Sequence, residues 1–320
     1  TNLVPPDSVY AIAFTRDGAR FATSSFDKKV RLYDAATLEL ERAMHTGASF
    51  MHAVAFDTAG TRVASGGKSL CMFDVATKKR IKTKIKKLGL EIRGIVFTED
   101  DTRVWVAGGE SWCGKGYVVC IDLMTGAKII DTKLGDCYFS LGASPDGSLL
   151  AAASVGDGVV ILDSRKGDVQ QRIDIGGWLY RTRFSPDGQS VWVSGDPHVI
   201  RGFDVSSGAV VAEVQTRGNA RDFAFDPLDP NVIVGVFFNR YSQTEQNGAW
   251  VEAFDITTGA SVWCADLTEM AGFTQSLAFS PDGSVLITGI QEIRGELEVH
   301  GGDKVTLDDG DALMFWHREA

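Results

Sequence analysis

Short apolar segments alternate along the whole chain with turns rich in Gly, Asp and Pro. Near the N-terminus, VYAIAF, ARFATSS and KVRLYD are rich in β-branched and aromatic residues, and the turn TRDG separates the first two. Such segments bounded by Gly and Asp are typical of β-strands, and Asp-Gly suits a tight chain reversal. Helical periodicity is nearly absent, so the pattern predicts an all-β protein.

The strand pattern recurs in seven copies. Six copies have an aromatic residue before the first turn and the fourth has Ala: Phe14, Phe56, Phe97, Ala143, Phe184, Phe225 and Phe279. An apolar residue followed by Asp ends the third strand of six copies, and the seventh has Phe315-Trp316: Tyr33-Asp34, Phe73-Asp74, Ile121-Asp122, Leu162-Asp163, Phe203-Asp204 and Phe254-Asp255. One four-stranded sheet cannot bury both faces, whereas seven packed radially can. The repeat predicts a seven-bladed β-propeller of four-stranded antiparallel blades.

We expect one domain that spans residues 1–320. The repeat landmarks place the blades near 9–47, 48–89, 90–135, 136–176, 177–218, 219–272 and 273–317. Residues 1–4 are expected to supply the outer strand of the last blade, and Pro5-Pro6 would end that strand.

The SPDG turn and the aromatic-Asp strand end resemble those of the WD-repeat family, over essentially the whole chain. The family's Gly-His before the inner strand is missing, and Tyr, Phe, Ile or Leu replaces the Trp of Trp-Asp. The chain therefore resembles a divergent WD-like propeller, and the family's His–Asp hydrogen-bond network does not transfer to it. The resemblance implies an interaction scaffold.

Three expanded connections mark one face of the predicted disc. They join the second and third strands (the b–c connections) of the third, sixth and seventh blades, at 108–116, 237–248 and 291–310. The last is acidic and could form a hairpin around Gly301-Gly302. Long loops on a rigid scaffold usually carry function. The partner-binding residues predicted on these connections are Trp112, Arg240, Tyr241 and Arg294, and Trp178 is predicted on the same face, at the start of the fifth blade.

A second set of candidate residues lies four positions before each anchor residue. These side chains should form a ring around the central channel on the same face: Tyr10, His52, Arg93, Phe139, Tyr180, Arg221 and Gln275. Aromatic and Arg side chains are favoured as binding anchors. The alternative is that they cap the channel and bond to one another.

The inner strand YRTRF of the fifth blade differs from its counterparts. Arg181 and Arg183 stand where other copies have Ala, Gly, Ser or Val. Buried Arg needs a partner, and Asp222 occupies the position equivalent to Arg181 in the next blade. An ion pair between blades is the favoured interpretation, and an anion or carboxylate site that includes Arg181 is the alternative.

Charge and composition narrow the possible partners. A formal net charge of −10 argues against nucleic acid as a partner. The basic segment KKRIKTKIKK at 78–87 is predicted as the outer strand of the second blade, where it would discourage edge pairing or bind an anionic partner. No membrane span or signal peptide is recognised, and no metal or cofactor motif.

Five cysteines without a CxxC spacing suggest free thiols. We expect those at Cys71, Cys120 and Cys264 to be buried, and the chain to reside in the cytoplasm or another reducing compartment.

Three functional hypotheses follow. The first is a non-catalytic scaffold that binds a protein or peptide at the channel mouth. The second is an enzyme or small-ligand binder with a pocket there and 291–310 as a flap, which a shifted pKa of His52 would favour. The third is a structural subunit of a larger assembly. No catalytic residue, metal site or cofactor is predicted.

Overall fold

The structure is a computed structural model that describes residues 8–47, 51–85, 88–110, 114–195, 198–239, 248–267, 271–293 and 313–318. The predicted all-β class is confirmed, with strands and turns but no α-helix in these ranges. Accordingly, the described chain offers no helix that could cross a membrane.

Each sheet begins with an inner strand and a second strand. The inner strands are β1 (Val9–Phe14), β5 (Ala53–Phe56), β8 (Glu91–Phe97), β12 (Tyr138–Ala143), β16 (Leu179–Phe184), β20 (Asn219–Phe225) and β24 (Ala271–Phe279). The second strands are β2 (Arg20–Ser25), β6 (Arg62–Gly66), β9 (Arg103–Gly109), β13 (Leu149–Ser154), β17 (Ser190–Gly195), β21 (Val232–Asn239) and β25 (Val285–Ile293).

A third strand is present in all seven sheets, and five of the sheets have a fourth, outer strand among the described residues. The third strands are β3 (Lys29–Asp34), β7 (Leu70–Asp74), β10 (Gly116–Asp122), β14 (Val159–Asp163), β18 (Val199–Asp204), β22 (Gly248–Asp255) and β26 (Leu313–His317). The outer strands are β4 (Leu40–His45), β11 (Lys128–Lys133), β15 (Val169–Ile173), β19 (Val210–Gln215) and β23 (Ser261–Asp266).

The seven sheets are blades arranged in a closed ring. Within each blade, successive strands pair antiparallel. Each inner strand contacts the inner strands of both neighbouring blades, and the circuit closes between β24 and β1. The predicted seven-bladed β-propeller is confirmed.

Among the described residues, the hydrophobic core forms seven clusters, and each is shared by two adjacent blades. The last and first blades meet in one of these clusters, where Phe21 and Tyr33 pack with Phe315. The rings of Phe21 and Tyr33 stack at 4.5 Å between centroids. Both faces of every blade are therefore buried against neighbours, as the repeat required.

Two blades have three strands among the described residues. In the seventh, β26 is the last strand of the sheet, and the predicted closing strand at 1–4 lies outside the described residues. In the second, the prediction of an outer strand at 78–87 is wrong over 78–85. Only a bridge between Phe73 and Arg80 continues the sheet.

The basic segment leaves the sheet because its apolar side chains have another place to pack. Ile81 and Ile85 lie against the core shared by the second and third blades. The side chains of this segment alternate, since Lys82 and Lys84 are exposed and the residues between and beside them are partly buried. Arg80 turns its guanidinium back to the carbonyl of Thr46, at 2.8 Å.

The SPDG turns are held by a local carboxylate. In the fourth blade, the Ser144 hydroxyl donates to Asp146 Oδ1 at 2.6 Å, and the Ser148 N–H donates to the same oxygen at 3.0 Å. Gly147 has φ of 69°, which a non-Gly residue rarely adopts. These hydrogen bonds favour the charged carboxyl and lower the pKa of Asp146 to about 2.

The turn carboxylates predict a loss of stability in acid. In the seventh blade the hydroxyl of Ser280 lowers the pKa of Asp282 to about 2 in the same way. Because these pKa values lie below the unfolded value of about 3.9, their stabilisation is present above about pH 4 and is lost as the pH falls towards 2. Urea midpoints measured across this range should fall less steeply for Asp146→Asn/Asp282→Asn than for wild type. Asp168→Asn, in an exposed turn, is the control, and identical slopes for all three proteins would contradict the expectation.

Candidate functional site

Nine of the predicted site residues line one cavity at the mouth of the central channel. The cavity has a volume of about 180 Å³. It is lined by Tyr10, His52, Arg93, Phe139, Trp178, Tyr180, Arg181, Arg221 and Gln275. The seven residues that were predicted from their position before each anchor residue therefore meet at one place, one from each blade. Their role in binding remains a prediction. We call this space the mouth cavity.

The long connections leave from the same face as the mouth cavity. Val9 at the start of β1 pairs with Ser25 at the end of β2, so inner strands begin where the connections after second strands emerge. The three expanded connections follow β9, β21 and β25. The predicted site residues Trp112, Arg240, Tyr241 and Arg294, and the hairpin at Gly301-Gly302, lie outside the described residues.

Aromatic rings form two walls of the mouth cavity. Tyr10 meets the edge of His52 with 5.4 Å between ring centroids and lies beside Phe26 at 6.1 Å. Phe139 packs against Trp178 at 6.3 Å. Trp178 is 40% exposed and therefore forms part of the outer rim. Sequence reasoning missed Phe26, although its place after the second strand of the first blade put it on this face.

Two arginines are stacked on these aromatic walls. The guanidinium carbon of Arg93 lies 4.3 Å from the centre of the Phe139 ring. That of Arg221 lies 4.2 Å from the Tyr180 ring and 4.6 Å from the Phe238 ring. Stacking of this kind fixes the plane of a guanidinium and stabilises its charge.

A third arginine forms the floor of the mouth cavity through the predicted ion pair between blades. Arg181 Nε lies 3.2 Å from Asp222 Oδ2, and Arg183 Nη2 lies 3.0 Å from Asp222 Oδ1. The favoured interpretation of YRTRF is therefore confirmed, with both arginines on one carboxylate. The side chain of Asp222 is only 3% exposed, so the pair is shielded from solvent on the carboxylate side.

The same group of residues ties four blades together. Arg181 Nη2 reaches across the channel to the carbonyl oxygen of Tyr10 in the first blade, at 3.0 Å. Asp222 Oδ2 accepts the N–H of Leu277 in the seventh blade at 3.3 Å. Arg181 and Asp222 thus form a crossbar that links the first, fifth, sixth and seventh blades.

A second cavity lies on the other side of this crossbar. It has a volume of about 570 Å³ and reaches the SPDG turns, whose Pro145, Pro186 and Pro281 form part of its lining. Arg181 and Asp222 line it as well. Sequence reasoning did not foresee this second cavity, because its walls are mainly the small and apolar residues that every propeller repeat carries.

His52 sits in a positively charged environment. Its pKa is lowered to about 4, first by burial and then by the neighbouring Arg93, an effect that Glu91 partly opposes. Glu91 itself pairs with Arg93, with 3.1 Å between Oε2 and Nη2. The imidazole is consequently neutral at pH 7.

The four cysteines among the described residues lie apart from the mouth cavity. Cys71 and Cys120 are buried free thiols as predicted, whereas Cys264 is a free thiol but is exposed, so the prediction of its burial is wrong. Cys264 lies on β23, where both faces of the outer strand meet solvent, and it accepts a hydrogen bond from Arg217 at 2.9 Å. Within the described residues, no cluster of His, Cys, Asp and Glu side chains is arranged to hold a metal ion.

The fold and the cavity define a seven-bladed propeller with a small mouth cavity rich in aromatic and Arg side chains. The sequence model described as WD domain, G-beta repeat matches residues 3–34, which include most of the first blade. This match and the seven blades confirm the resemblance to WD-repeat propellers. No curated protein matches the chain.

Removal of the crossbar carboxylate should destabilise the whole propeller. Asp222→Ala leaves two guanidiniums without their shared partner, and loss of one member of a buried pair costs about 3 kcal/mol. The free energy of unfolding from urea titration tests this. Arg183→Ala, which keeps the pair between Arg181 and Asp222, should cost less. Equal stability of wild type and Asp222→Ala would contradict the assignment.

The lowered pKa of His52 predicts a separate dependence on pH. Because the folded state binds the proton more weakly than the unfolded state, stability falls as the pH drops from about 6.5 to about 4, by at most about 1.4 kcal/mol per pH unit. His52→Gln should reduce this slope in urea titrations. His45→Gln, which removes an exposed histidine, is the matched control. An unchanged slope in His52→Gln would contradict the burial of a neutral imidazole.

Proposed function

We propose that the chain is a non-catalytic interaction scaffold that binds a partner protein or peptide on the face of the mouth cavity. The observation that carries the proposal is the convergence of nine aromatic, Arg, His and Gln side chains from six inner strands, the residue before β5 and one rim position. Interaction through a rigid surface is also the common use of WD-repeat propellers. The scaffold holds these side chains in place before a partner arrives.

The size of the mouth cavity favours a single side chain of a partner as its occupant. Its volume of about 180 Å³ is below the range of about 300–1,000 Å³ typical of small-molecule pockets. Trp178 at the rim supplies the half-exposed aromatic surface common at interaction hot spots. A partner backbone would then cross the face while one residue enters the channel mouth.

A small-ligand site is the second candidate, and the lowered pKa of His52 is the observation in its favour. Two features make catalysis by His52 the weaker proposal. Its aromatic neighbour is Tyr10, placed edge-on, and within the described residues no nucleophilic side chain hydrogen-bonds its imidazole. Furthermore, a base with a pKa of about 4 is poorly matched to proton abstraction near neutral pH.

The basic segment at 78–87 is proposed as a second contact, for an anionic partner. Lys79, Lys82 and Lys84 are exposed, whereas Lys78 is paired with Glu41 at 2.7 Å. Since residues 78–85 lie outside the third strand β7, on the outer wall, this contact would form independently of the mouth cavity. The free thiols of Cys71 and Cys120 support the further proposal of a reducing, cytoplasmic location.

Selection from a displayed library of random peptides tests the proposed face. Peptides enriched on the wild-type chain should lose about tenfold or more in affinity on Trp178→Ala and on Tyr180→Ala, because such anchors contribute most of the binding energy. Met124→Ala removes an 82% exposed side chain on the opposite face and is the control. Enriched peptides that bind all four proteins equally would place the binding surface elsewhere.

A further inference from the structure

We propose that the mouth cavity recognises an oxyanion, supplied by a carboxylate or phosphoryl group on a side chain of the bound partner. This inference rests on the proposed function and adds the chemistry of the residue that enters the cavity. Three guanidiniums, those of Arg93, Arg181 and Arg221, line a space of about 180 Å³. None of the nine residues around that space carries a carboxylate, although Glu91, outside the lining, pairs with Arg93 at 3.1 Å.

The arginines are held in an arrangement that suits oxyanion recognition. Stacking on Phe139 and Tyr180 occupies a face of Arg93 and of Arg221, so further hydrogen bonds must use the in-plane N–H groups at the guanidinium edge. Arg181 uses Nη2 for the Tyr10 carbonyl and Nε for Asp222. Its Nη1 takes part in neither contact, and donors of this kind form strong bonds to carboxylate and phosphate oxygens.

The charge balance at the floor favours a negative ligand. Arg181 and Arg183 share the single carboxylate of Asp222. One positive charge is therefore in excess at this point. His52 adds no negative charge and stays neutral at pH 7. The positive charge is partly shielded from solvent, since the Arg181 side chain is 17% exposed, and shielding strengthens its attraction for an anion.

The aromatic walls argue against a cationic occupant. A Lys or Arg side chain of a partner would gain most by lying over a free ring face. Arg93 already lies over Phe139, and Arg221 lies over Tyr180. A cation entering the cavity would meet three guanidiniums of the same sign, although Arg93 is paired with Glu91, and Arg181 shares Asp222 with a second arginine. The arrangement therefore selects for an anion and against a cation.

The test uses the full chain and the peptides enriched from the displayed library. The peptides should contain Asp or Glu at one fixed position, and replacing it by Asn or Gln should weaken binding roughly ten- to a hundredfold, as expected for a charged hydrogen bond. Phosphoserine at the same position separates the two sources of the oxyanion. Tighter binding than with Asp or Glu identifies a phosphoryl ligand, and weaker binding identifies a carboxylate.

Variants of the chain test whether the acidic residue of the peptide contacts the guanidiniums directly. Arg221→Ala should weaken the acidic peptide strongly but change the binding of its amide counterpart little, and this non-additivity is the signature of a direct contact. Arg165→Ala, on a turn of the opposite face, is the matched control. Near-ultraviolet circular dichroism of each variant verifies that the propeller is folded.

The failures of the two proposals are distinguishable. Enriched peptides that depend on Trp178 and Tyr180 but bind equally well with Gln in place of Glu would leave the binding face standing and overturn the oxyanion inference. Peptides that bind independently of Trp178, Tyr180 and Arg221 would overturn both. Binding that persists in Arg221→Ala with its full dependence on the acidic residue would also overturn the inference, since the anion would then lie elsewhere.

Discussion

The structure depends on one constraint, which is that no blade can bury both of its faces without a neighbour on each side. In the part of the chain that the structure describes, the seven core clusters all lie between blades, and none belongs to a single sheet. Stability therefore comes from closing the ring, where Phe21, Tyr33 and Phe315 join the last blade to the first. The start of every inner strand is brought to the same channel mouth by the same closure.

Ring closure explains how a repetitive chain forms a site that does not repeat. Seven equivalent positions converge on one point, so a change in any copy alters a shared space instead of seven separate ones. The fifth copy shows this most clearly, because Arg181 and Arg183 differ from their counterparts and reach Asp222 in the sixth blade. Asp222 in turn accepts a backbone N–H from the seventh blade. Departures from the repeat therefore carry more functional information than the repeat itself.

The fold could be predicted from sequence because its signals are local. Turns such as Ser144 to Gly147 and strand ends such as Phe203-Asp204 recur at regular intervals, and their hydrogen bonds lie within a few residues. The ring of site residues could be predicted because it follows from the same register. The path of residues 81–85 could not be predicted. Their alternating Ile and Lys residues suit a strand as well as the observed packing of Ile81 and Ile85 against the core of the second and third blades. The stacking of Arg221 between Tyr180 and Phe238 could not be predicted either, because it depends on side-chain conformations across blades.

The crossbar of Arg181 and Asp222 also divides the central channel into two parts. A propeller channel is usually pictured as one passage along the axis, but here a salt bridge and the hydrogen bond to Tyr10 lie across it. The two ends are then separate compartments with different chemistry, one aromatic and cationic, the other walled largely by small and apolar residues and proline rings. Two molecules could occupy opposite ends at once without touching. Any influence of one on the other would pass through the residues that line both cavities, Arg93 and Arg181, and through the partners that hold them.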